Sequence, residues 1–437
     1  MLSRFIIFFL IIIVSFSELN SKPFKIIRDA ETENFLSELA NILLDKSENS
    51  EKFEFYIDNQ KYVNASVIPG PKFFFTTQLL LESKNVEQIA GVIAHELGHV
   101  IGGHFTKINQ ATRGSSFISI ISSILAVGAI ASGSPEAGNA LLLGGQQLSR
   151  ANILAFSRKQ ESIADQTSIR LMKKSGLSLK GLIEMFKLLE RKEKFKSFNP
   201  YFLTHPLSKE RKQDIEYHLS LQTEIRDYPE IKKKYKLIKA KLNGFFLEKD
   251  NLVDIYGERR DSIESIYAYS LNFYREGKIK EALELLDKCI TYDPKNPYFR
   301  ELKAQIYFEN GKNKQSVEEF RKIIFLKPNE KSFKLFLAKA LYHTSTTKGY
   351  SESIDLLQEY IKDEDYPVEA WHYLGLNYGK KRQLDYSSYA FAEKFFLVNE
   401  IKNAKVHIAK VKKISQDEFL LNKVKDLEYE IIKKERK

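Results

Sequence analysis

Residues 95–99 read His-Glu-Leu-Gly-His. Helix positions four apart lie one turn apart on the same face. His95 and His99 can therefore both reach one tetrahedral ion, at about 2.0–2.1 Å from each ring nitrogen. Glu96 sits beside the first of them, where its carboxylate can take a proton from water instead of binding the ion. Asn85 followed by Gln88 resembles a capping box. Val86, Ile89, Ala90, Ile93, Ala94, Leu97 and Val100 then fall at the spacing of an apolar helix face. A glutamate between two histidines on a buried helix is costly unless something pairs with it, and a metal ion would. The pattern predicts amide hydrolysis with one Zn2+ per subunit.

A catalytic zinc takes three protein ligands and leaves one position open. A third histidine six residues after His99 would fall at 105, which is Phe105; His104 is one residue out of that register and is given no role. Glu161 is the expected third ligand, on a separate helix predicted over 152–174. Asp165, one turn further on, is expected to accept a hydrogen bond from the ring N–H of a liganding histidine and so fix its orientation. Without the upstream histidines the two acids would read as an exposed charge pair. His205, held in the loop Pro200-Tyr-Phe-Leu-Thr-His-Pro206, has three readings: a donor to the oxyanion of the reaction, an inhibitory occupant of the open zinc position, or a plain turn histidine. Arg211 would support the same charge or brace the loop. His218, His343, His372 and His407 are read as solvated or packed.

The rest of the chain bounds the setting. A length of 437 residues suggests two or three domains, and 43% hydrophobic with 29% charged residues, 20 Gly and 11 Pro suits a helix-rich globular protein. Arg4, the apolar run Phe5–Phe16 and the small residues at Ser15 and Ser17 read as a secretory signal peptide over 1–17, too short for an ordinary spanning helix. An uncleaved inner-membrane anchor is the alternative. The single cysteine, Cys289, excludes an intramolecular disulfide and reads as a packed residue. An exported chain that needs no bridge fits a bacterial periplasm. A net charge of +11 is modest at this length, and with no finger or RNA-binding signature nucleic acid is not expected as a partner.

A period-two pattern over 52–58, a short extended piece over 64–70 ended by a turn and a further strand over 72–77 predict a small sheet ahead of the histidine helix, one edge of which would take an extended peptide. Apolar segments at 117–131 and 140–145 are expected to cover the active site. The sharper reading makes 117–145 a flap in peripheral contact with a membrane or an unfolded substrate. Residues 221–260 read as a charged linker with a helix from Pro229 to about Leu242. Beyond them Gly277 and Gly311, and Pro294 and Pro328, are 34 apart, the period of the tetratricopeptide repeat. Trp371, Leu374, Gly375 and Tyr378 repeat that motif's opening. Residues 331–365 look like a degenerate repeat with extra residues around His343 to Lys348, and Gln416–Lys437 like a terminal capping helix.

His95-Glu-Leu-Gly-His99, Glu161-Ser-Ile-Ala-Asp165 and Thr204-His-Pro206 with Arg211 together resemble the M48 family of zinc metallopeptidases, as do Asn64-Ala and Pro69-Gly70 before the histidine helix. With a signal peptide ahead and repeats behind, the chain is similar to the BepA-type periplasmic proteases of Gram-negative bacteria. The resemblance implies zinc ligands at His95, His99 and Glu161 with Glu96 as catalytic base. It also implies a role in quality control of outer-membrane proteins, acting on unfolded or misassembled substrates, with the barrel assembly machinery as a partner of the repeats. The expected fold is mainly α: an α+β zincin-type (gluzincin) peptidase domain with a small sheet over 18–220, then an α-helical tetratricopeptide-repeat solenoid over 261–437. A chaperone-like repeat scaffold with a latent protease is the rival reading.

Overall fold

The computed structural model describes residues 12–13, 25–45, 53–104, 150–194, 205, 207–362, 364 and 366–435. The segment 117–145 lies outside them. Contacts divide the described chain into a unit ending at Leu247 and a second beginning at Glu248.

In the first unit β1 (Ile12–Ile13), β2 (Lys25–Ile27), β3 (Glu54–Asp58), β4 (Ala65–Ile68) and β5 (Lys72–Thr76) form one sheet in the order β1-β2-β3-β5-β4. The pair β3–β5 is parallel and the others are antiparallel. β1 comes from the stretch that reads as a signal peptide. Alternation sends Phe55, Ile57, Phe73 and Phe75 into the core, and the register sets Phe55 against Phe73 with ring centroids 4.9 Å apart. β4 is an edge strand. It is folded back on β5 by the turn at Gly70 (φ 93°) and fastened where Thr76 N donates to the Asn64 carbonyl at 3.0 Å.

Helices α1 (Ala30–Leu44), α2 (Thr77–Glu82) and α3 (Val86–Ile101) follow, then α4 (Arg150–Ser175), α5 (Lys180–Lys194) and α6 (Lys209–Ser220). α3 is buried on nearly every side from Val86 to His99, as its apolar positions predict. Its Asn85 cap accepts from Gln88 N at 3.0 Å, but the Gln88 side chain reaches the backbone of Lys84 instead of Asn85. The reciprocal box expected from the sequence is displaced by one residue. Glu184 of α5 bolts both side chains, accepting from Asn85 at 2.7 Å and Gln88 at 2.9 Å. α4 stops where the sequence places its end, with Gly176 at φ 74° and Leu177 N donating to the Met172 carbonyl at 2.9 Å.

Helix α7 (Pro229–Phe246) lies in the stretch that reads as a charged linker. Its lysines are largely exposed, yet Ile231, Tyr235, Ile238 and Leu242 enter the same core as α3, and Tyr235 Oη donates to the Ser83 carbonyl at 2.6 Å. Lys241 is buried against Asp29 and Glu31. The abundance of lysine masks an apolar face at helical spacing.

The second unit opens with α8 (Lys249–Tyr256) and continues as five helix pairs among the described residues: α9 (Ile263–Arg275) with α10 (Ile279–Tyr292), α11 (Pro297–Glu309) with α12 (Asn313–Leu326), α13 (Lys331–His343) with α14 (Thr347–Lys362), α15 (Val368–Lys380) with α16 (Leu384–Leu397), and α17 (Ile401–Ile414) with α18 (Glu418–Glu435). The mainly α class and the helical repeats follow the sequence reading. One detail differs. The turn at 344–346 has the same length as its counterparts and no insertion. The extra residues lie further on, in a longer α14 and in 363–367. Gly277 (φ 75°) and Gly311 (φ 71°) hold the left-handed turn position in the first two repeats, and Ser345 (φ 56°) holds it in the third. The missing glycine makes an intact repeat look interrupted.

A side chain in the left-handed region is strained by roughly 1–2 kcal/mol. Ser345→Gly is therefore expected to stabilise the second unit by about 0.5–1 kcal/mol after the entropy of glycine is allowed for. A higher urea midpoint with an unchanged slope would register it; a lower midpoint would contradict it.

Candidate metal centre

α3 and α4 cross where α3 has no side chain. A Cβ on Gly98 would come 2.7 Å from both Cα and O of Ala164. This backbone approach brings the histidines of one helix onto the acids of the other. His95 Nε2 is 3.1 Å from His99 Nε2 and 3.3 Å from Glu161 Oε2, and His99 Nε2 is 3.4 Å from Glu161 Oε1. His205 enters from its loop with Nδ1 3.3 Å from His95 Nε2 and 3.1 Å from Glu161 Oε1. Donors about 2.0–2.1 Å from a tetrahedral zinc would be spaced about 3.3 Å apart. These separations cluster around that value.

The surrounding contacts fix these groups. Asp165 Oδ1 is 3.0 Å from His95 Nδ1, the far side of the ring. Arg211 stands in the first turn of α6, whose Ser208 cap accepts from Arg211 N at 3.2 Å. Its guanidinium donates to Asp165 through Nε at 2.6 Å and Nη2 at 2.9 Å, and Nη1 lies 3.0 Å from Glu161 Oε2. The Phe186 ring packs under it, 5.2 Å away. Glu96 Oε1 is buried and accepts no hydrogen bond among the described residues; His205 Nε2 is 3.6 Å from it.

The charges do not balance among the side chains alone. Glu96, Glu161 and Asp165 are buried with Arg211 as their one permanently charged partner among the described residues. A divalent cation would supply the difference, so the donor set fits such an ion in charge as well as spacing. Burial opposes charging His95, but its bonds to Asp165 and Glu161 prevail and raise its pKa to about 10. Burial, with other histidines crowded around it, holds His99 well below its ordinary value, against the pull of Glu161. Glu96 is pushed up by burial despite the nearby imidazoles. Glu161 is also buried, but His205 and His95 hold its carboxyl well below the usual range. Asp165, likewise buried, is kept low by Arg211 and His95.

The structure thus gathers His95, Glu96, His99, Glu161, Asp165, His205 and Arg211 in one buried cluster. It adds a residue without a role in the sequence reading. His104 is buried, and its Nδ1 lies 2.7 Å from His99 Nδ1. The sequence signal was the paired glycine before it, Gly102-Gly103, which turns the chain back toward α3.

A turn-spaced histidine pair with an interposed glutamate, closed by acids from a second helix, defines a metallopeptidase. The comparisons make this specific: residues 27–219 match peptidase family M48 and residues 273–340 match the tetratricopeptide repeat. The chain carries an M48 peptidase domain followed by tetratricopeptide repeats. It is 24% identical over 300 residues to the beta-barrel assembly-enhancing protease of Yersinia pestis, covering 66% of this chain and 60% of that protein. It is 23% identical over 363 residues to the protein of the same name from Escherichia coli K12, covering 80% of this chain and 72% of the relative. It is also 33% identical over 145 residues to the E. coli metalloprotease YcaL, covering 31% of this chain and 50% of that one.

Gly98→Ala is expected to force α3 and α4 apart, since the new methyl meets backbone that cannot rotate away. A cost of about 1–3 kcal/mol in stability, together with a sharp fall in bound metal, should appear in thermal unfolding and metal analysis. Wild-type values in both would show that the helices tolerate separation.

Proposed function

We propose that the chain is a zinc-dependent endopeptidase of the bacterial periplasm that cleaves unfolded or misassembled outer-membrane proteins. The observation that carries the zinc assignment is the close spacing of His95 Nε2, His99 Nε2 and the Glu161 carboxylate, one oxygen of which lies 3.3 Å from the first ring and the other 3.4 Å from the second. We assign these three as the protein ligands. A zinc ion held there would polarise a scissile carbonyl and lower the pKa of water.

The side chains divide the remaining work. Glu96 is adjacent to a ligand and buried, with Oε1 uncommitted to a hydrogen bond among the described residues and its pKa raised by burial. It takes a proton from the attacking water and returns one to the leaving nitrogen. Asp165 holds the Nδ1 proton of His95 so that Nε2 keeps its lone pair for the ion, and Arg211 fixes Asp165 in turn. The edge of β4, unpaired among the described residues, is the place for an extended substrate to add as a strand.

Of the readings open for His205, its position favours the inhibitory one. Nδ1 lies beside His95 Nε2 and Glu161 Oε1, where a fourth donor belongs. Substrate and His205 then compete for one place, and the protease rests in a latent form while the ring stays there. The oxyanion role would need the ring to stand back from the ion.

The periplasmic address rests on the leader at 1–17 and on relatives whose name places them in barrel assembly. No helix among the described residues is long and apolar enough to cross a membrane. The repeats would recruit the substrate or the assembly machinery, as helix-pair arrays commonly bind proteins.

Glu96→Gln is expected to keep zinc at one per chain while peptide cleavage falls by about 10²–10⁴-fold; cleavage of an unfolded protein at the wild-type rate would refute the mechanism. Glu161→Ala should lose most of its zinc, and an unchanged metal-to-protein ratio would remove Glu161 from the ligand set. His205→Ala should cleave faster than wild type if the ring is a latch and slower if it supports the oxyanion.

A further inference from the structure

We propose that His104 is a positioning residue for the metal centre: it accepts the Nδ1 proton of His99 and thereby presents the opposite nitrogen of that ring to the ion. The proposal rests on the assignment of His99 as a ligand.

The argument begins with proton placement. His99 Nε2 faces the other donors, 3.1 Å from His95 Nε2 and 3.4 Å from Glu161 Oε1. A ligand atom must carry a lone pair, so the proton of the neutral ring belongs on Nδ1. A buried N–H needs an acceptor. Among the described residues the group in reach is His104 Nδ1 at 2.7 Å, with the ring planes at 73°. His104 must then hold its own proton on Nε2 and offer Nδ1 as acceptor. Asp165 performs the corresponding service for His95 at 3.0 Å. The two ligands of one helix are thus oriented by different chemistries, a carboxylate for one and a neutral imidazole for the other.

The backbone is shaped for this contact. α3 ends at Ile101, Gly102 N donates to the Gly98 carbonyl at 2.9 Å, and Gly103 takes φ 62°. The left-handed residue reverses the chain within a few positions of His99. A Cβ on Gly102 would come 2.5 Å from His104 Nε2. The histidine ring therefore occupies the space that any side chain at 102 would need. The two glycines and His104 behave as one device: one reverses the chain, the other clears room, and the third reaches back to the ligand.

The test compares His104→Leu, which fills space but accepts nothing, with His104→Asn, whose amide oxygen can replace Nδ1. Zinc affinity is measured on the full chain by competition with a chelator, beside thermal unfolding of the metal-free protein. Loss of an outer partner of a liganding histidine typically costs 10–100-fold in metal affinity. His104→Leu should show that loss, and His104→Asn should recover most of it while both metal-free proteins unfold alike. Two results would overturn the proposal: affinity within about twofold of wild type in His104→Leu, or equal losses in Leu and Asn. If His104→Leu does not fold, the Asn variant decides alone, since a positioning role requires it to bind zinc nearly as well as wild type. Glu161→Ala is run in parallel. If it too keeps full affinity, the ligand assignment fails; if it alone loses zinc, only the role of His104 fails.

Discussion

Gly98 lies against Ala164 with room for no side chain between the helices that bear them, and the electrostatics of the centre depend on that distance. Coulomb energy grows as separation shrinks and as water is excluded. With the helices this close, the Glu161 oxygens reach both histidines of α3, and Asp165 reaches the far side of one ring. A larger gap would let water in and weaken every pairing together. The glycine inside the motif is therefore part of its chemistry, although it touches no proton and no ion.

Burying acids in this way works against folding. Isolated carboxylates are expensive away from water, and a buried pair returns that cost only with good geometry. The chain supplies the geometry from three directions: Arg211 at the start of α6 over the Phe186 ring, His95 within α3, and His205 from its loop. The large core shared by the sheet, α1, α3, α5 and α7 holds these elements in place. Stability invested in that core sustains a cluster that side chains alone leave short of positive charge.

Much of this was legible in the sequence. The histidine helix, the strands before it and the acidic helix each carry a local pattern of period two or period 3.6, and such patterns survive reading in one dimension. Glu161 and Asp165 could be proposed because turn spacing puts both on one face. His104 could not, because its role comes from a chain reversal at Gly103 and no ligand spacing includes it. Residues 331–365 read as a degenerate repeat with extra residues around His343 to Lys348, yet Ser345 takes the turn position where the two preceding repeats carry glycine and the backbone adopts the same turn. At Ser345 the local conformation outlasted the residue type that usually announces it.

Helix α7 carries a practical consequence. Its Ile231 and Tyr235 are seated beside α1, α2 and α3, and Tyr235 Oη closes a bond to the Ser83 carbonyl just before the cap of α3. A fragment trimmed at 220, where the charged stretch begins, would strip a wall from the hydrophobic interior and bare the apolar surface beneath. Anyone wishing to express the catalytic half by itself should carry the coding region through Leu247.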